Sequence, residues 1–249
     1  SDDSNLTNKQ NKLKSINHKD GNPVQLETYL DGIIPYVKLD NNNLLSYKLG
    51  MSSPSSLENG GIQFWFKQTE YSSYYQCLFS CKDIDAYDSI GLYLQYGKIT
   101  LKVVDYVGKV HEILTSDFAI KENEWNFVAL SFFNRADGQG YSEVSEFAFS
   151  LNGHTQFYQQ TDPRINFDLG ADLVYNIGHE YNGKTAYYHF YGQVTCLYIA
   201  GKTYIDVPDI KRYYRATKDY LIDNQLVDTD TQTVDFSQTT YYNIAQKNL

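Results

Sequence analysis

The chain has 249 residues, 42% of them hydrophobic, which is enough to bury one large core as a single domain. Its formal net charge of -9 repels phosphate backbones and anionic lipid heads, which argues against nucleic acid and membrane surfaces as partners. No apolar run approaches the roughly 20 residues that a membrane-spanning helix needs.

Tyrosine is the compositional outlier, with 24 residues, and aromatics reach 16% while methionine occurs once. Rings fit a half-buried pleated surface, so this bias favours strands. Residues 1–23 are polar, without periodicity, and end in Gly21-Asn22-Pro23. They are expected to form a flexible N-terminal segment, and the chain to be an excised piece of a larger polypeptide.

The domain proper is expected over residues 24–222. Strand-like segments recur at 36–39, 44–47, 62–67, 75–81, 90–95, 99–104 and 111–114, separated by breakers such as Asn59-Gly60-Gly61 and Tyr96-Gly97-Lys98. Within 62–67 the residues Ile62, Phe64 and Phe66 share one face, opposite Gln63, Trp65 and Lys67. Further strands are expected at 125–133, 146–151, 154–158, 173–177 and 193–199, with Trp125, Phe127 and Ala129 buried between two sheets. Long helical periods between strands are missing, which argues against a parallel α/β sheet.

One helix is expected over 209–220, after Pro208, with Ile210, Tyr213, Tyr214, Thr217 and Tyr220 at helical spacing. It should lie against the edge or base of the sandwich. Residues 223–249 form a polar C-terminal extension that could add an edge strand.

Cys77, Cys81 and Cys196 are the only cysteines. Along one strand, Cys77 and Cys81 would be roughly 13 Å apart and could not bridge each other. A bridge from either to Cys196 stays open, beside the reading of all three as small buried hydrophobes.

The runs Gly61-Ile62-Gln63-Phe64-Trp65-Phe66-Lys67, Leu92-Tyr93-Leu94 with Tyr96-Gly97-Lys98-Ile99-Thr100-Leu101, and Glu124-Trp125-Asn126-Phe127-Val128-Ala129-Leu130 resemble laminin-G-like domains in order and spacing. Phe149-Ser150-Leu151-Asn152-Gly153 resembles the family's strand and Asn-Gly hairpin, and Phe190-Tyr191-Gly192-Gln193-Val194 its closing strand. The likeness covers roughly residues 36–220. It implies an all-β, two-sheet antiparallel sandwich of the concanavalin A-like jelly-roll kind. Gln193 stands where animal laminin-G domains carry a cysteine, and the terminal helix is more like bacterial members of the superfamily.

Asp83-Ile84-Asp85-Ala86-Tyr87-Asp88 puts three carboxylates on one short loop. Hard cations take converging oxygen ligands, so Asp83, Asp85 and Asp88 are the candidate calcium ligands, and the resemblance singles out Asp88. The alternative is a solvated loop tip. The same residues are similar to the E-x-D-x-x-E strand of family-16 glycoside hydrolases, with every Glu replaced by Asp. Shortening the side chains would displace the carboxyls by roughly 1 Å, which is expensive in catalysis. His18, His111, His154, His179 and His189 are scattered, and no G-x-S-x-G elbow occurs.

The aromatic segments 71–75 and 181–191 offer rings that could stack on sugar faces. Tyr74, Tyr87 and Tyr181 lie nearest turn signals and are the candidate ligand-binding residues. The resulting expectation is a non-catalytic binding module, lectin-like or adhesive, of a secreted or cell-surface protein, recognising a glycan or a protein partner. A degenerate glycosidase and a structural spacer are the alternatives.

Overall fold

A computed structural model of the chain describes residues 14–16, 23–24, 28–31, 34–41, 44–48, 59–83, 87–135, 143–161, 163–167, 169, 173–181, 185–200, 204–223 and 239–243. In chain order the strands are β1 (Lys14–Ile16), β2 (Pro23–Val24), β3 (Thr28–Asp31), β4 (Ile34–Leu39), β5 (Leu44–Lys48), β6 (Asn59–Gln68), β7 (Gln76–Asp83), β8 (Ser89–Gln95) and β9 (Lys98–Val104). There follow β10 (Val110–Thr115), β11 (Trp125–Arg135), β12 (Val144–Leu151), β13 (His154–Thr161), β14 (Leu173–Ile177), β15 (Glu180–Tyr181), β16 (Ala186–Tyr187), β17 (Gly192–Ala200), helix α1 (Val207–Asp223) and β18 (Thr239–Asn243).

These strands build a two-sheet sandwich. The first sheet runs β10-β9-β8-β7-β14-β5-β1-β2 and the second β18-β13-β12-β11-β6-β17-β4-β3. Pairing is antiparallel throughout except that β18 joins β13 in parallel. At one end of the first sheet, β10 pairs with β9 through a register shift between Glu112 and Leu114.

The core lies between the sheets and follows from period-two alternation. Ile62, Phe64 and Phe66 of β6 point inward, and the register sets Phe64 opposite Val128 and Ile62 opposite Leu130 of β11. From the first sheet, Phe79, Leu92, Leu101 and Tyr175 meet them, all inaccessible to solvent. At Asn152-Gly153, which joins β12 to β13, both residues have positive φ (50° and 84°), the geometry a two-residue hairpin turn of this kind needs.

Trp125, Phe127 and Ala129 are buried, but not between the sheets as expected. They share the outer face of the second sheet with Trp65, and the register pairs Phe127 with Trp65 and Ala129 with Gln63. The cover is α1, whose Ile210, Tyr214 and Leu221 pack onto that face together with Ile205. β11 is therefore covered on both sides, and a doubly buried strand loses the polar alternation from which its faces would be read. The helix likewise lies across an outer sheet face rather than at the edge or base.

Local chemistry fixes the helix there. The Asp206 carbonyl accepts from the N–H groups of Asp209 (2.9 Å) and Ile210 (3.0 Å), opening the first turn. Trp65 Nε1 donates to Thr217 Oγ1 at 2.8 Å, and the Trp65 ring stacks on Tyr214 at 5.5 Å between centroids. Just before the helix, the buried Ile205 N–H donates to Ser131 Oγ at 2.6 Å.

Candidate functional site

The outer face of the first sheet carries the most developed cluster of aromatic and charged side chains. Alternation along β8 sends Leu92 and Leu94 inward and Tyr93 outward, and β9 does the same with Leu101 and Lys102. Tyr93 lies back along its own strand, where Gly91 makes room. A Cβ at Gly91 would come within 2.7–2.9 Å of the Tyr93 ring.

Two separate segments bring further rings to Tyr93. Tyr75, just before β7, stands edge-on to it at 6.2 Å, and Tyr188, just after β16, at 6.1 Å. Tyr75 and Tyr188 are themselves edge-on at 6.3 Å, and Tyr187 meets Tyr188 at 5.2 Å. Such edge-to-face pairs each contribute about 0.5–1.5 kcal/mol beyond their burial. Tyr188 is 45% exposed and holds φ at +55°, a left-handed conformation that a residue with a bulky side chain adopts at a cost. Its carbonyl is anchored by the Cys77 N–H at 2.6 Å.

Charged groups brace the array. The Tyr93 hydroxyl donates to Glu180 Oε2 at 2.7 Å and the Tyr187 hydroxyl to Glu180 Oε1 at 3.4 Å. Lys102 Nζ sits 4.1 Å from the centre of the Tyr75 ring, a cation–π distance, and pairs with Glu112 at 3.0 Å. Burial, with the neighbouring Cys77 and Glu180 adding to it, pushes the Tyr93 phenol well up; burial and Glu180 push Tyr187 up to about 12. Burial works against the charge on Lys102, yet the bonds to Glu112 and Tyr75 outweigh it and hold its pKa above the ordinary lysine value. At neutral pH Tyr93 and Tyr187 thus stay neutral donors held on Glu180, and Lys102 a cation held between the Tyr75 ring and Glu112.

The sequence candidates fall in different places. Tyr74 is 80% exposed and adjoins Tyr75; Tyr181 is half-buried on β15 beside Glu180. Tyr87 is 73% exposed and stands near the turn between β9 and β10, close to Gly108. Asp88 is 4% exposed and engaged within the fold. Asp85 and the side chain of Asp83 lie outside the described residues. Among the described residues no group of three His, Cys, Asp or Glu is placed to hold a metal ion.

Segments 71–75 and 181–191, flagged separately in the sequence, meet here through Tyr75 and Tyr188. Turn signals do not point to Tyr93, Glu180 or Lys102. The outward parity of Tyr93 and Lys102 was available in the alternation of their strands, but their convergence with Glu180 arises only from the docking of the β15–β16 hairpin.

Two other constellations are structural. Ser46 Oγ lies 3.4 Å from His179 Nε2, but both residues are buried, and the hydroxyl donates to Asn176 Oδ1 at 2.8 Å. All three cysteines are free, Cys77 and Cys81 on the first sheet and Cys196 on the second, so the bridges left open by the sequence are not formed. Burial raises the pKa of each thiol.

No family model and no curated protein matches the chain. Solved structures do match. Domain 4 of AbnA, a GH43 extracellular arabinanase from Geobacillus stearothermophilus, in complex with arabinotriose, is 15% identical at a TM-score of 0.54, covering 82% of this chain and 87% of that one. The botulinum neurotoxin type G receptor binding domain is 12% identical at a TM-score of 0.50, covering 82% of this chain and 51% of that one. The chain therefore spans about half the length of the botulinum domain. A heptameric SAP-like pentraxin from Limulus polyphemus matches at 13% identity and a TM-score of 0.47. What the arabinanase and botulinum domains share with the chain is the fold, a two-sheet β-sandwich of the jelly-roll kind.

Proposed function

We propose that the chain is a non-catalytic glycan-binding module of a longer extracellular or cell-surface polypeptide, and that the tyrosine array on the outer face of the first sheet holds the glycan. The observation that carries this reading is the array itself: Tyr75, Tyr93, Tyr187 and Tyr188 locked edge to face and braced by Glu180 and Lys102. A tyrosine that is already ordered offers ring area and a hydroxyl at low entropic cost, which suits the face of a sugar ring. Glu180 is occupied by two phenol donors and Glu112 by Lys102, which suits both carboxylates to holding rings in place. The fold-mates include an arabinanase domain in complex with arabinotriose and a receptor binding domain, which supports the same class of role.

A glycan array followed by titration calorimetry tests the reading. Binding is expected to weaken roughly fivefold or more in Tyr188→Ala and Tyr75→Ala, since losing an ordered ring removes on the order of 1 kcal/mol or more. A wild-type chain that captures no glycan, or variants that bind as well as wild type, would overturn it. Hydrolysis of a β-glucan by the purified chain would restore the glycosidase alternative.

A protein partner has its own supporting observation. Tyr87, Tyr106, Val107 and Val110 are all more than half exposed around the β9–β10 turn. Glycan-independent binding lost in Val107→Asp would favour that reading.

A further inference from the structure

The second sheet has a cleft of its own beside α1, with a volume of about 460 Å³, within the roughly 300–1,000 Å³ range of small-molecule sites. Gln63, Tyr198, Tyr204 and Tyr213 line it, and Asp209 and Arg212 of the helix stand at its rim. A bulge in β17 shapes this wall. The pairing of β17 with β6 shifts between Thr195 and Tyr198, Cys196 takes φ of +50°, and Tyr198 comes to lie directly across from Gln63. The Tyr213 hydroxyl donates to the Cys196 carbonyl at 2.8 Å and so clamps the bulge from the helix side. Bulges that re-aim a side chain in this way are concentrated beside binding sites.

Gln63 is the informative residue. It is 3% exposed, it lines the cleft, and its Oε1 is buried with no hydrogen-bond partner. An orphaned buried acceptor costs the fold free energy and invites a donor from outside. Tyr198 is 43% exposed and lies 5.9 Å from the Tyr213 ring, so the wall next to that acceptor is aromatic. At the rim Asp209 and Arg212 form an ion pair at 2.9 Å, so the two offer an acceptor and a donor with no net charge.

We infer that this cleft is a second ligand site, specific for a neutral sugar ring: a hydroxyl donates to Gln63 Oε1, the ring face lies on Tyr198, and outer hydroxyls meet the Asp209–Arg212 pair. The site lies on the opposite outer face of the sandwich from the tyrosine array. It stands whether or not that array binds glycan.

The test is saturation-transfer NMR on the full chain carrying Tyr188→Ala, which disables the tyrosine array, with the methyl glycosides of glucose, galactose and mannose, and with methyl glucuronide as the charged comparison. In that background, transfer is expected from at least one neutral glycoside. It should be lost in Ala216→Trp, which puts bulk into the cleft from an exposed helix position. Gln63→Leu should weaken binding roughly tenfold while its melting temperature stays level or rises, because the orphaned acceptor is gone. A purely structural Gln63 would melt lower in the same variant. Transfer from no neutral glycoside, transfer unchanged by Ala216→Trp, or binding of the glucuronide alone would each overturn the assignment.

Discussion

The two outer faces of the sandwich carry similar residues to opposite ends. On the second sheet, Trp65, Phe127 and Ala129 are sealed by α1; the Trp65 ring stacks on Tyr214, and the Phe127 ring meets Tyr214 at a tilt. On the first sheet, Tyr75, Tyr93 and Tyr188 pack against one another with only a short hairpin beside them, and Tyr188 remains open to water. Aromatic content alone therefore does not distinguish a covered face from an open one; what lies over the rings does. One face uses its aromatic area for stability, and the other keeps it available.

The largest expected effect that tests this contrast is on the covered face. Trp65→Ala removes the stack on Tyr214 and the bond to Thr217, and should cost about 3–5 kcal/mol in urea unfolding. Tyr188→Ala on the open face gives up three edge-to-face contacts but little burial, and should cost less, about 1.5–2 kcal/mol. Equal losses would erase the distinction between the faces. Ser131→Ala comes next, at about 1–3 kcal/mol, because it leaves the buried Ile205 N–H without its acceptor.

An alkaline series gives a smaller signal. Tyr214, pushed up to about 12 by burial, and Tyr187, pushed up to about 12 by burial and Glu180, both favour the neutral phenol in the folded state. The folded chain then holds more protons than the unfolded one between pH 10 and 12. The stability these groups contribute is present below pH 10 and is lost as pH rises through the folded value. Urea midpoints measured from pH 8 to 11.5 should fall across that window, and Tyr214→Phe and Tyr187→Phe should each flatten the fall. A slope untouched by Tyr214→Phe would mean that the helix does not seal its face.

The acidic loop gives the smallest effect. If calcium binds Asp83, Asp85 and Asp88, melting should rise by a few degrees in calcium over chelator, and Asp85→Asn should abolish the difference. Superimposable melts would leave the loop as a solvated tip.

Much of the fold was legible because alternation survives wherever one face meets water or polar neighbours. Segments 90–95 and 99–104 show it, and their strands, β8 and β9, follow within a residue or two. The Asn152-Gly153 turn was readable from chemistry alone. The faces of β11 were not, because Phe127 and Val128 are equally apolar and equally buried on opposite sides. The tyrosine array was half legible. Both ring-rich segments stood out, but the meeting of Tyr75 with Tyr188 links residues more than a hundred positions apart, and no local pattern encodes such a contact.

The bulge in β10 has a consequence for how the module can be displayed. A terminal strand offers its unpaired amides as a template for another chain, and a displaced register with charge beside it spoils that template. At this end of the first sheet the ladder is interrupted next to Glu112, whose carboxylate is largely solvated, and Val110 and Thr115 at the two ends of the strand are exposed. Many copies could then be crowded side by side, on one surface or along one polypeptide, without their sheets knitting together into fibres.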